Sequence, residues 1–189
     1  VQRILNIAKK YHSATDPFID GRAITQPSSI DHMDEFGLSP QMQKLIRDTR
    51  EVVPDVMEYV KTTGAQAEKI NIFMADLEER EILRKELMAM PELSISSSMY
   101  NNLEVNAKGA DKGSALLWLA DHLGISREET MAFGDGENDI PMIKAAGIGV
   151  AMENALDTVK EAADTITLNN DEDGVAAAIR KFIFGSSEE

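Results

Sequence analysis

Apolar residues recur along this chain in two rhythms. Between residues 1 and 106 short helical and strand-like runs alternate in no fixed order. Ile4, Leu5, Ile7 and Ala8 share one face of a helix over 1–10. Asp16-Pro17 and Asp20-Gly21 punctuate a loop or hairpin around Phe18 and Ile19. Ser39-Pro40 opens a polar helix, with Ser39 as its cap and Met42, Leu45 and Ile46 on one face. Pro54 divides 52–60 into a short strand and a helix. Over 68–74, Ile70, Ile72 and Met74 alternate with Asn71 and Phe73, which predicts a strand. Residues 77–90 form an amphipathic helical pattern ended by Pro91, and two strands, 93–98 and 103–105, flank a turn at Asn101-Asn102. Helices mixed with short, hairpin-connected strands predict an α+β module.

Beyond residue 107 the rhythm becomes regular. An apolar helix over 112–123 stops at Gly124, and a strand follows over 130–133. A helix over 141–146 stops at Gly147, then comes a strand over 148–152, a helix over 156–163, a strand over 165–168 and a last helix over 174–184. Helix and strand alternating with short connections predict a parallel sheet covered by helices, with the loops after the strands along one edge. That edge is where open α/β folds bind ligands. The small, polar stretch 107–111 separates the two patterns, so we divide the chain into domains 1–106 and 107–189. The tail 185–189 reads as disordered. No internal repeat or low-complexity tract interrupts either pattern.

Charge narrows the function. With 19 Lys and Arg against 33 Asp and Glu, the net charge is −14. This argues against a general nucleic-acid binder and against adhesion to anionic membranes, both of which need clustered cations. A phosphate can still be held locally by backbone N–H groups, one lysine or a metal ion. The absence of cysteine excludes disulfides, thiolate metal sites and thiol nucleophiles, and is compatible with a cytoplasmic protein. The longest strongly apolar stretch, 115–120, is far too short to cross a bilayer. The opening residues read as an amphipathic helix rather than a signal peptide.

The densest chemistry lies in Phe133-Gly134-Asp135-Gly136-Glu137-Asn138-Asp139, after one strand and before a helix. Two glycines permit a tight turn, and two carboxylates with an amide make a hard-oxygen cluster of the kind Mg²⁺ takes. A solvated acidic turn with Asp139 at a helix start has the same letters. Lys112, at the start of the first helix of the regular part, is placed to offer a cation to that edge; Lys108 is its rival.

These residues belong to a longer ordered string. Lys112-Gly113, Leu123-Gly124-Ile125, Ala132 to Asp139, Met142, Ala146-Gly147, Gly149-Val150-Ala151-Met152, Asn154-Ala155, Val159-Lys160, Ala163-Asp164 and Asp173-Gly174-Val175 follow one another. Over about residues 102–184 the string closely resembles the C-terminal half of haloacid dehalogenase superfamily phosphatases of the Cof type. Many spaced elements match at once, so the likeness is specific. The first module resembles that family's cap more weakly, through 18–21 and 95–105.

The resemblance implies an α/β protein: a haloacid dehalogenase-like Rossmannoid parallel sheet in the C-terminal part, with an α+β cap domain. It implies phosphoryl transfer from a small phosphorylated metabolite, often a sugar phosphate, to an aspartate and then to water. Asp135 matches the residue that holds Mg²⁺, and Asp139 the one that supports the metal shell and the lysine. Lys112 matches the lysine that steadies charge between nucleophile and phosphate, and Asn138 a residue that orders the phosphate site. Such roles suit phosphoryl transfer, which needs positioning and neutralised oxygens. The family's nucleophilic Asp-x-Asp and its phosphate-holding Ser or Thr stand upstream of the cap, whereas this chain opens on Val1 where the cap begins. The expectation is therefore a phosphatase whose nucleophile lies outside this chain, with the chain alone inactive. The alternative is a truncated, non-catalytic Mg²⁺/phosphate-binding or regulatory protein.

Other features read as structural. Asp171-Glu172-Asp173 copies the letters of the missing motif, but Asn169-Asn170 separates it from the preceding strand, and it reads as a helix cap. Thr62-Thr63-Gly64 falls inside the cap. Asn154 reads as a turn residue. His12, His32 and His122 lack metal spacing, and Trp118 with its apolar neighbours reads as core.

Overall fold

The computed structural model describes residues 1–185; the expectation for the tail beyond Gly185 lies outside them. The chain divides into two units, Val1–Lys108 and a second from Gly109 onward.

The first unit contains α1 (Gln2–Ala8), β1 (Ser13–Ile19), β2 (Arg22–Thr25), α2 (Pro27–Asp31), α3 (Pro40–Thr49), β3 (Glu51–Val52), α4 (Val56–Thr63), β4 (Lys69–Met74), α5 (Leu77–Met88), β5 (Leu93–Ser96) and β6 (Asn102–Ala107). Its six strands form one sheet in the order β3-β2-β1-β4-β6-β5. Every pair is antiparallel except β2 with β3. Ile70, Ile72 and Met74 of β4 pack with Ile4, Leu5, Val56, Val60, Leu83 and Leu87, so α1, α4 and α5 cover one face.

The other face carries a polar row. Asp16 pairs with Asn71, Asn71 with Glu104, and Glu104 with Ser96 across four strands. Phe73, on that face, closes a second cluster with Met33, Phe36, Leu38 and Ile46. Asp16 is buried, and burial pushes its carboxyl up against the pull of Arg50, whose Nε donates to Asp16 Oδ2 at 3.0 Å.

Three details differ from the sequence pattern. Asp16-Pro17 is not a loop: β1 runs through it, and Pro17 lies just outside the short ladder to β2, where a missing N–H is tolerated. The hairpin turn is Asp20-Gly21 alone, with φ +51° and +72°, the pair of left-handed residues that a two-residue loop needs. In α3 Ser39 caps Met42 N as expected and Ile46 is buried, but Leu45 is exposed.

The second unit contains α6 (Lys112–Leu123), β7 (Met131–Gly134), α7 (Ile140–Ala145), β8 (Ile148–Ala151), α8 (Asp157–Ala162), β9 (Thr165–Ile166) and α9 (Gly174–Ile183). Its strands pair in parallel in the order β7-β8-β9, the sheet that the alternation predicts. Ile143, Ala151, Met152, Ala155 and Val159 make its core.

Trp118 is not in that core. It is 67% exposed and stacks on His122, one turn along α6, with ring centroids 5.3 Å apart. The reason is which side of α6 is packed. Gly113 lies against α7 so closely that a Cβ there would meet Pro141 O at 2.4 Å. The buried positions of α6 are the small residues Gly113 and Ala120. Its large apolar residues Leu117, Trp118, Leu119 and Leu123 are thereby left outward. Among the described residues no helix is long and apolar enough to cross a membrane.

Candidate active site

The parallel strands β7 and β8 end together, with Gly134 paired to Ala151. Gly134 lets the chain turn at once: a Cβ there would stand 2.3 Å from Asp139 Cβ. Asp135 and Gly136 follow, then a single 3-10 turn, Glu137–Asp139, and then α7, with Pro141 in its first turn.

Asp139 folds back on this turn. Its Oδ2 accepts the backbone N–H groups of Asp135 at 3.0 Å and Gly136 at 3.1 Å. Its Oδ1 accepts Lys112 Nζ. Burial alone pushes the Asp139 carboxyl up, but the lysine and the two N–H donors outweigh it and hold the group below the usual carboxylate value. Asp139 is therefore an anion fixed in place, with both oxygens engaged.

Lys112 stands in the first turn of α6, which Asp111 caps by accepting Ser114 N at 2.8 Å. Its side chain stays about half exposed. Lys108, the rival, ends the first unit, where its N–H donates to Glu92 O at 2.8 Å.

Asp135 is exposed at the head of the turn. Its Oδ2 accepts Asn154 Nδ2 at 3.1 Å, and its carbonyl accepts Leu156 N at 3.1 Å. Asn138 sits between Glu137 and Asp139 on the 3-10 turn, its Oδ1 close against Gly136. The structure thus brings Lys112, Asp135, Asn138 and Asp139 to one strand edge. It adds Asn154 and the N–H groups of Asp135 and Gly136. Asn154, read from sequence as a turn residue, does hold a turn, since its Oδ1 accepts Asn170 N at 3.1 Å, but it also reaches Asp135. The one sequence signal for that second contact is its place just after a strand at the ligand edge.

The remaining features fall elsewhere. The cap expected from Asp171-Glu172-Asp173 does not form: Asn169, outside that run, caps the 3-10 turn Asn170–Glu172 by accepting Asp171 N. Asp173 occupies the N-cap of α9, but with φ +56° its side chain makes no cap bond. Thr62 and Thr63 hydroxyls donate to carbonyls of their own helix α4. His12 Nε2 and His32 Nδ1 share Glu35, each at 2.8 Å. Among the described residues, no group of three or more His, Asp or Glu side chains is placed to hold a metal by itself.

A parallel sheet covered by helices, with a lysine, a buried carboxylate and an exposed one gathered at its strand ends, defines an α/β protein. The chain belongs to the haloacid dehalogenase-like hydrolase family, whose sequence model matches residues 1–179. It is 50% identical over 114 residues to the 5-amino-6-(5-phospho-D-ribitylamino)uracil phosphatase YcsE of Bacillus subtilis, covering 59% of this chain and 46% of that one. It superposes on a haloacid dehalogenase-like hydrolase from B. subtilis with TM-score 0.81 at 29% identity, covering 96% of this chain and 69% of that one. For the subclass IIB sugar phosphatase BT4131 the TM-score is 0.75 at 26% identity, covering 96% and 65%. The likeness to subclass IIB agrees with a Cof-type member. The chain spans about half the length of curated relatives of this kind.

Proposed function

We propose that this chain forms part of a Mg²⁺-dependent phosphatase that hydrolyses small phosphate esters, such as sugar phosphates, through an aspartyl-phosphate. The observation that carries this reading is the Lys112–Asp139–Asp135 arrangement at the ends of β7 and β8. Support also comes from the named phosphatases among the relatives. In this reading domain 1–106 is the family's cap and domain 107–189 is the second part of its core.

The residues fit a magnesium site of the sort that keeps water and takes phosphate oxygens. Asp135 has one oxygen held by Asn154 and the other free for a cation. Mg²⁺ bound there would supply charge neutralisation for phosphoryl oxygens. Asp139 supports that shell indirectly, through the N–H groups of Asp135 and Gly136, and holds Lys112 beside it. Lys112 pairs with the phosphoryl oxygens as their charge shifts, and Asn138 donates to the same group. In this reading the nucleophile is a carboxylate from outside this chain, as the resemblance to the family implies; Asp139 is already engaged by Lys112 and by the turn. That carboxylate forms a bond to phosphorus as the ester P–O bond breaks. The leaving oxygen takes a proton from water, and a second water then bonds to phosphorus as the aspartyl P–O bond breaks, which releases inorganic phosphate and regenerates the carboxylate.

The test is hydrolysis of p-nitrophenyl phosphate with Mg²⁺, together with Mn²⁺ titration followed by electron paramagnetic resonance. The chain alone should bind Mn²⁺ through Asp135 and turn over no substrate. Turnover that Asp135→Asn abolishes would remove the external nucleophile from the reading. Metal and phosphate binding by a chain that is naturally of this length would favour the alternative, a non-catalytic Mg²⁺/phosphate-binding or regulatory protein.

A further inference from the structure

We propose that Asn154 is a positioning residue: its side-chain amide sets the Asp135 carboxylate for a cation. The proposal rests on the reading of Asp135 as the metal ligand and adds the residue that aims it.

The geometry leaves the amide one useful orientation. A backbone N–H can only donate, so Asn170 N, at 3.1 Å, fixes the oxygen of Asn154 on its side. The NH₂ group must then point the other way, and there it meets Asp135 Oδ2 at 3.1 Å. The amide is a bridge from the loop after β9 to the turn after β7, made by a residue in the loop after β8. Three consecutive loops at the strand edge are tied through one side chain.

The backbone around Asn154 is held independently. Met152 N donates to Gly134 O at 3.0 Å, Ala155 N to Met152 O at 3.0 Å, and Leu156 N to Asp135 O at 3.1 Å. The turn therefore does not need the amide to keep its path. What the amide adds is directional. It occupies one carboxylate oxygen of an exposed aspartate with a neutral donor and leaves Oδ1 without a hydrogen-bond partner among the described residues. A carboxylate so held has lost its rotation before a cation arrives, and that entropy need not be spent on binding.

Two variants separate this role from a turn staple. Asn154→Ala removes both bonds. Asn170→Pro removes the N–H that orients the amide and leaves Asn154 in place. Residue 170 opens a 3-10 turn, and Asn169 before it has φ −70° and ψ 171°, so proline fits there. Mn²⁺ affinity is read by electron paramagnetic resonance on the chain, with Mg²⁺ competition and a thermal melt for each variant. Asn154→Ala should weaken Mn²⁺ binding by about 10- to 100-fold, the usual cost of losing a partner of a metal ligand. Asn170→Pro should give a smaller loss in the same direction, and it keeps the proposal testable if Asn154→Ala fails to fold. Folded variants that bind Mn²⁺ like the parent would overturn the positioning role while leaving Asp135 as the ligand. Parent and Asp135→Asn both failing to bind Mn²⁺ would overturn the reading beneath it, and this proposal with it.

Discussion

Lys112 and Asp139 are 27 residues apart, and the Nζ of one donates to the Oδ1 of the other. The bond joins the first turn of α6 to the turn that leaves β7. Its two ends are unequal: the lysine side chain is about half exposed, while the aspartate is buried and also accepts two backbone N–H groups. That inequality decides what each substitution does.

Asp139→Ala should cost more stability than Lys112→Ala. The first strands the N–H groups of Asp135 and Gly136 without their acceptor, a loss on the order of 1–3 kcal/mol. The second removes a half-exposed cation, whose pairing is worth about 1 kcal/mol or less. Urea midpoints of the two variants against the parent measure the difference. Equal losses would mean that the N–H bonds contribute nothing.

The same carboxylate makes the second unit sensitive to acid. Its folded pKa lies below the usual value, since Lys112 and the N–H donors outweigh burial. In the unfolded chain it titrates near ~3.9. The stabilisation is thus complete above about pH 4 and drains away as pH falls through the lower folded pKa. Asp139→Asn has no such group to protonate. As pH falls below about 4 the parent should lose stability more steeply than this variant. Parallel curves through that window would show that the Asp139 carboxylate is not held in its charged form.

The sheet of the second unit and the place of its acidic turn were legible because alternating apolar runs and the Gly-Asp-Gly-Glu-Asn-Asp spacing are local. Lys112 was legible only as one of two candidates, because spacing alone left Lys108 beside it; the contact with Asp139 separates them. What the pattern hides is which side of an element is packed. Apolar letters crowd α6, yet its contact with α7 runs through Gly113, because only a residue without a side chain lets the two backbones meet. Asn154 shows a second limit. Its two partners, Asp135 and Asn170, lie 19 residues before it and 16 after it, a pairing that no periodicity encodes. In the first unit the strand through Asp16-Pro17 was masked by residues that usually break strands, and tertiary pairing with β4 overrode that preference.

Gly134 offers a steric route to the same site. A Cβ at this position would stand 2.3 Å from Asp139 Cβ and 2.8 Å from its carboxyl carbon. Gly134→Ala must therefore push Asp139 away from the N–H groups of Asp135 and Gly136, at a cost of about 1–3 kcal/mol for overpacking. Mn²⁺ binding should weaken along with stability, because the turn that presents Asp135 moves too. A variant of parental stability and metal affinity would show that the turn relaxes without loss.

Trp118 gives the sharpest check on how α6 is packed, because it is the chain's single tryptophan. A tryptophan in a close-packed core costs about 3–5 kcal/mol when cut to alanine. A surface residue costs within about 0.5 kcal/mol. At 67% exposure with its ring against His122, Trp118 belongs to the second case. Trp118→Ala should leave the urea midpoint nearly unchanged. In the parent, its fluorescence should be open to iodide and should shift little when the chain unfolds. Leu117, Leu119 and Leu123 are exposed on the same helix, so the combined change Trp118→Gln/Leu119→Gln should also reduce self-association at high concentration, read by sedimentation. A strongly blue-shifted, quencher-protected emission in the monomer would place Trp118 in a packed interior, and the outward face of α6 would be wrong.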